Sequence, residues 1–213
     1  MNAISRALLL AVIFSASSGQ VSASTIQFDI SGLDTLGQNM ILGFDFIDGD
    51  GPSNNVKINL INTDGTAGSV TLFGGASTTA DGYQLEDSTF YTNLLLEYLG
   101  ASQISLRFDM TNNAPAPGMF ADMLAIYVLD VFNGLPSIFT DEPLGTNALM
   151  SWSASGVDQG ELLVYGSLLP TSVTWTSTFI NAPTNPVPEP AVLTLLALGI
   201  AGLLVTKTLR KRD

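Results

Sequence analysis

From Ile104 to Met110 the chain reads Ile-Ser-Leu-Arg-Phe-Asp-Met, apolar and polar residues in strict alternation, and a period of two leaves few architectures open. Successive side chains of a strand point to opposite faces, so such a run buries one face and wets the other. Thr25–Ile30 (TIQFDI) and Val56–Leu60 (VKINL) alternate in the same way. Further runs at Met40–Ile47, Ser69–Phe73, Ala125–Leu129, Leu162–Tyr165 and Val173–Phe179 are rich in β-branched and aromatic residues. Turn signals such as Thr63-Asp64-Gly65 and Asn112-Asn113-Ala114-Pro115 separate them. The pattern predicts about eight or nine strands and an all-β fold, an antiparallel β-sandwich or jelly roll. One stretch departs from it. In Ser88–Leu99 (STFYTNLLLEYL) the apolar Phe90, Leu94 and Tyr98 are spaced by four and Ser88 can cap, which predicts one short helix across an open end of the sandwich. A buried strand is the rival reading.

Both ends of the chain read as addresses rather than fold. A single cation, Arg6, precedes the apolar run Ala7–Phe14, and Val21-Ser22-Ala23 has the small-x-small form of a signal-peptidase site. Residues 1–23 are therefore expected to be a signal peptide, cut between Ala23 and Ser24. At the other end residues 191–206 carry no charge, and Lys207, Arg210, Lys211 and Arg212 follow within six positions. This predicts a transmembrane helix over 191–206 with a basic cytoplasmic tail, 207–213, as its stop. Sixteen residues rise about 24 Å against a hydrocarbon core of about 30 Å, so Val187 or Leu209 must help or the bilayer must thin. Between fold and membrane, residues 181–190 hold four prolines, Pro183, Pro186, Pro188 and Pro190, an extended stalk. What remains, residues 24–180, is of a size for one domain.

The end of the chain, with Val187, Pro188, Glu189 and Pro190 ahead of a short apolar segment and a basic terminus, resembles the PEP-CTERM sorting signal of Gram-negative bacteria. The resemblance covers the last twenty-six or so residues with its three parts in order. It implies that the protein is a substrate of an exosortase, which cuts near the motif and passes the ectodomain from the inner membrane to the cell surface or extracellular matrix. A second resemblance rests on Leu85–Leu94, Ile104–Thr111, Met123–Asp130 and Thr140–Leu149 (TDEPLGTNAL), similar in order to a family of PEP-CTERM ectodomains of unassigned function. It implies a β-rich fold and supplies no catalytic residues.

Removing the ends sharpens the composition. Of seven Lys and Arg only Lys57 and Arg107 stay in the ectodomain, whereas seventeen of nineteen Asp and Glu do, a net charge of −15. Nucleic acid and anionic membrane surfaces need basic footprints, so neither is an expected partner. Cysteine is absent, and an ordinary core rather than disulfides must stabilise the domain. Histidine is absent too, which removes the usual general base, the usual zinc ligand and the Ser-His couple together.

Three groups remain as candidate sites. The loop Asp45-Phe46-Ile47-Asp48-Gly49-Asp50-Gly51 offers Asp45, Asp48 and Asp50 as oxygen ligands for a hard cation such as Ca²⁺. It is not an EF-hand, because the twelfth position from Asp48 is Asn59 rather than Glu. As a plain turn, its acids would serve solubility. The pairs Glu86-Asp87 and Asp141-Glu142 could not perform glycoside chemistry alone, since neighbours in a strand point apart. Among the aromatics Trp152, Trp175, Tyr83, Tyr91 and Tyr165, Trp152 lies among small polar residues and is the expected exposed ring for stacking on a sugar. The favoured expectation is a secreted structural or interaction protein, not an enzyme, associated with exopolysaccharide. The alternative is a secreted carboxylate-dependent hydrolase acting on the same matrix.

Overall fold

The computed structural model describes residues 22–181 except 38, 50–52, 114, 116 and 155–158. The signal segment up to position 21, the stalk beyond Asn181, the Pro188-Glu189-Pro190 motif, the apolar segment, the basic tail and Asp50 lie outside the described residues. No helix among the described residues is long and apolar enough to cross a membrane.

Twelve strands run through the described chain: β1 Ser22–Ser31, β2 Asn39–Ile47, β3 Asn55–Thr63, β4 Thr66–Phe73, β5 Ala76–Thr79, β6 Gly82–Glu86, β7 Tyr91–Leu99, β8 Gln103–Asn112, β9 Met123–Asp130, β10 Met150–Ser153, β11 Glu161–Val164 and β12 Thr174–Asn181. A single 3₁₀ turn, Leu33–Leu36, is the only helical element among them. The strands form two antiparallel six-stranded sheets, β12-β1-β8-β3-β6-β5 (sheet A) and β11-β10-β9-β2-β7-β4 (sheet B). The pairing is nested: β1 with β8, β2 with β7, β3 with β6.

The alternation read in the sequence sets the core. Ile26, Phe28 and Ile30 of β1 and Ile104, Leu106, Phe108 and Met110 of β8 are buried from sheet A. Met40, Leu42, Phe44 and Phe46 of β2 and Leu94, Leu96 and Tyr98 of β7 are buried from sheet B. All belong to one apolar cluster, and the rings of Phe44 and Phe108 meet at 6.1 Å between centroids, so the inner faces of the two sheets pack on each other. Each such Phe contributes about 1.5–3 kcal/mol by leaving water. The fold is all-β, with the two-sheet arrangement of a β-sandwich.

The helix expected over Ser88–Leu99 is a strand instead. Phe90, Leu94 and Tyr98 share parity as well as a spacing of four, so both periods fit them. What decides is Thr92 and Leu96, which are buried between them, while Phe90 is exposed. β7 pairs with β2 along nine residues and with β4 on its other side, a place where a helix would leave two ladders open.

β1 begins before the expected signal-peptidase site. Ser22 pairs with Asn112 and Ala23 with Thr111. Ser24 is buried, and its Oγ donates to the Gln159 carbonyl at 2.7 Å. Cleavage between Ala23 and Ser24 would keep eight of the ten β1–β8 pairs.

Candidate metal centre

Three carboxylates meet at one end of the fold. Asp48 follows the last residue of β2, Asp87 follows the last residue of β6, and Asp122 precedes the first residue of β9. The strand register explains the meeting. Ile47 pairs with Met123 and with Tyr91, which sets Asp48 beside Asp122 where β2 and β9 end. Asn55 pairs with Glu86, which brings Asp87 to the same end from sheet A. One oxygen of each acid lies within 4.8 Å of the others.

Asn54 ties the three loops together. It is buried, and its Nδ2 donates to Asp122 Oδ2 at 2.7 Å. Its backbone N–H donates to Asp87 Oδ2 at 2.6 Å, and its Oδ1 accepts from the backbone N–H of Asn113 at 2.8 Å. The Gly49 N–H donates to Asp122 Oδ1 at 2.8 Å. A side chain at position 49 would not fit, because its Cβ would stand 2.4 Å from the Phe120 carbonyl oxygen. Backbone approach, not only charge, has shaped this loop.

Asp122 is buried, and burial is the first reason its carboxyl is held above the usual carboxylate range. The Gly49 and Asn54 donors pull it down, and the charges of Asp87 and Asp48 push it up again. Two unit charges about 4–5 Å apart repel by about 1 kcal/mol in water and about 4 kcal/mol near a protein surface. A cation between them would turn that repulsion into attraction.

The donor set fits a hard cation. Ca²⁺ takes six to eight oxygens at about 2.3–2.6 Å, so no two of its ligands stand more than about 5 Å apart, and three oxygens all within 4.8 Å of one another meet that condition. Zinc and copper favour imidazole or thiolate, and the sequence has no His or Cys. Asp48, Asp87 and Asp122 would hold the ion, with Asn54 and Gly49 orienting Asp122 from behind.

The members of the sequence-predicted sites part company. Asp48 joins the cluster. Asp45 does not: three residues back along β2 it points to the outer face of sheet B, where its Oδ1 accepts from Tyr91 OH at 2.7 Å, Tyr127 OH at 2.7 Å and Asn93 Nδ2 at 2.6 Å. Asp87 arrives instead from the acidic pair with Glu86, and Asp122 belongs to none of the sequence-predicted sites. Glu142 closes its own loop, accepting from the Leu144 and Thr146 N–H groups at 2.7 Å each, and Asp141 accepts from the Gly166 N–H at 2.7 Å.

Trp152 is not an exposed ring. It is the largest fully buried side chain among the described residues, and its Nε1 donates to the Gln159 carbonyl at 2.9 Å. Ser151-Trp152-Ser153 belongs to strand β10, not to a polar loop: the register puts the indole opposite Leu124 and Leu162, and Ser151 is itself buried, its Oγ 2.8 Å from Tyr165 OH. Trp175 also turns inward, donating to the Leu149 and Tyr165 carbonyls at 3.1 Å each.

No family model matches this sequence, and no curated protein or solved structure does either.

Proposed function

We propose that this chain is a secreted structural or interaction protein, sorted by an exosortase to the cell surface or extracellular matrix, with a jelly-roll-like ectodomain whose loops are clamped by Ca²⁺. The observation that carries the ectodomain's part is the convergence of Asp48, Asp87 and Asp122, one carboxylate from each of three strand ends. A hard cation there joins β2, β6 and β9 across both sheets. The nested pairing of β1 with β8, β2 with β7 and β3 with β6 supports the jelly-roll winding, although β5 pairs with β6 rather than with β4. The Pro188-Glu189-Pro190 motif, the uncharged segment behind it and the basic terminus support the sorting step.

The clamp suits the destination. Millimolar Ca²⁺ outside the cell would fill a site of modest affinity that remains empty during export, so the domain stiffens where it works. The surplus of acids keeps a densely displayed surface protein soluble and repels anionic surfaces.

The sorting step is tested by intact mass of the protein recovered from cell surface and medium, in cells with and without the exosortase. The expected wild-type product starts at Ser24 and ends near Pro188–Pro190, and the mutant strain retains the chain through Asp213. An intact C-terminus in both strains removes the exosortase from the account and leaves a plain membrane anchor. The clamp is tested by thermal melting with Ca²⁺ and with chelator. Equal midpoints at millimolar Ca²⁺ would remove the cation.

A further inference from the structure

The outer face of sheet B holds a second polar centre. Asp45 of β2 stands opposite Asn93 of β7, and Phe73 of β4 stands opposite Asn93 on its far side. The three donors that reach Asp45 all converge on Oδ1, and none of them reaches Oδ2. Asn93 is more than nine-tenths buried and spends its Nδ2 on Asp45 and, at 3.0 Å, on Tyr127 OH. A carboxylate is thus fixed in place by its neighbours with one oxygen left for something else.

Beside it lie two rings that a folding argument alone does not require. Phe73 is 60 % and Tyr91 36 % exposed, and their centroids are 6.1 Å apart. Tyr127 forms the floor, its ring lying over Gly43, the one position of β2 with no side chain to lift it. The result is a fixed acceptor beside two exposed rings inclined at 50° to each other.

We infer that this patch binds one pyranose unit of a neutral or amino-substituted polysaccharide, a reading that rests on the proposed delivery to an exopolysaccharide matrix. A pyranose offers what the patch lacks: an apolar C–H face to lie against the more exposed Phe73 ring, with Tyr91 inclined at 50° beside it, and hydroxyl or ammonium donors for Asp45 Oδ2. The charge narrows the class. With a carboxylate at the centre and a domain of net charge −15, a polyuronate is repelled, while an ammonium gains both from the carboxylate and from the ring faces. Lys57 and Arg107, the cations of the ectodomain, are on sheet A and are paired with Asp81 at 3.5 Å and Asp109 at 2.9 Å. They offer a uronate no alternative seat on this face.

The test is retention of the full chain, in mild detergent, on immobilised glucose, glucosamine and uronate oligosaccharides. Expected is binding to both the glucosamine and the glucose oligomer, tighter to the former with salt weakening that advantage, and no retention by the uronate. Phe73→Ala, a change at an exposed ring that leaves the core untouched, should weaken binding by about fivefold to tenfold. D45N, nearly the same shape, should abolish preference for glucosamine over glucose. Equal retention of wild type and Phe73→Ala, absence of binding to all three, or preference for the uronate would overturn the assignment. The binding is measured in isolation, so its failure is distinct from a failure of sorting, which the intact masses read separately.

Discussion

Tyr127 occupies the space in which a side chain at position 43 would stand: a Cβ on Gly43 would lie 2.0 Å from Tyr127 Cε2. The two residues are paired across β2 and β9, so the ring crosses its own partner strand to bring its hydroxyl to Asp45. Gly43→Ala must therefore move the ring or bend the strand, at a cost of about 1–3 kcal/mol. Chemical denaturation should show that loss. Tyr127→Phe, which keeps the ring and drops only the hydroxyl, should cost less. Equal stabilities of Gly43→Ala and wild type would mean that the ring does not lie there.

At the acidic end the variants separate a charge effect from a packing effect. Asp122→Asn removes one of three repelling charges while keeping the side chain's shape. The relief of repulsion is set against the amide NH₂ that it turns on the Gly49 N–H or the Asn54 amide, both donors to Asp122, so without Ca²⁺ its stability should change little or fall, and it should lose the rise in melting temperature that Ca²⁺ gives wild type. Asn54→Ala behaves differently, because it strips partners from buried Asp122 and from the Asn113 N–H. A loss of about 1–3 kcal/mol is expected with or without the ion. If Asp122→Asn still responds to Ca²⁺ as wild type does, the ion sits elsewhere.

The tyrosines around Asp45 give the domain an alkaline signature. Burial first, and then the Asp45 carboxylate, push the Tyr91 hydroxyl up to about 12 from an ordinary 10. Tyr127 is driven higher still, again by burial first and Asp45 second. Tyr98, inside the core, also rises to about 12, but through burial with no help from Asp45. A folded-state pKa above the unfolded one adds stability that is complete below pH 10 and disappears as pH climbs through about 12. Tyrosinate absorbance followed against pH should show these groups lagging behind free tyrosine. Asp45→Asn should bring Tyr91 and Tyr127 part of the way back and leave Tyr98 where it was. A uniform response of all three would show that Asp45 does not touch the two hydroxyls.

The eight strands read from the sequence were legible because each has an alternation or a β-branched run long enough to outweigh its neighbours. Those missed are short or polar. Ala76–Thr79 and Gly82–Glu86 lie at the edge of sheet A, where little apolar surface is buried, and Met150–Ser153 shows only two inward residues, Met150 and Trp152. At β7 the spacing of four between Phe90, Leu94 and Tyr98, which fits a strand's parity as well, together with Ser88 as a cap, suggested a helix. That one misreading hid the face on which Tyr91 and Asn93 stand together. The carboxylate cluster was half legible for a different reason. Asp48 was found by its local sequence, but Asp87 and Asp122 reach it only through long-range pairing of β2 with β9 and β3 with β6, which no local spacing encodes. Trp152 was misplaced because small polar neighbours mark a loop and an edge-near strand alike.

Phe44 and Phe108 offer a direct measure of how firmly the two sheets are joined. Each is fully buried and each belongs to a different sheet, so their contact at 6.1 Å exists only if the inner faces meet as described. Truncating either to Ala should cost about 3–5 kcal/mol, a large share of the 5–15 kcal/mol that holds a typical domain together. The double Ala variant would therefore be too unstable to interpret. Phe→Leu at each position keeps most of the volume while losing the ring pair. In a double-mutant cycle built from the Leu variants, a coupling of about 0.5–1.5 kcal/mol is expected from direct ring contact. Costs that simply add would place the two rings apart in solution, and with them the sheets that carry them.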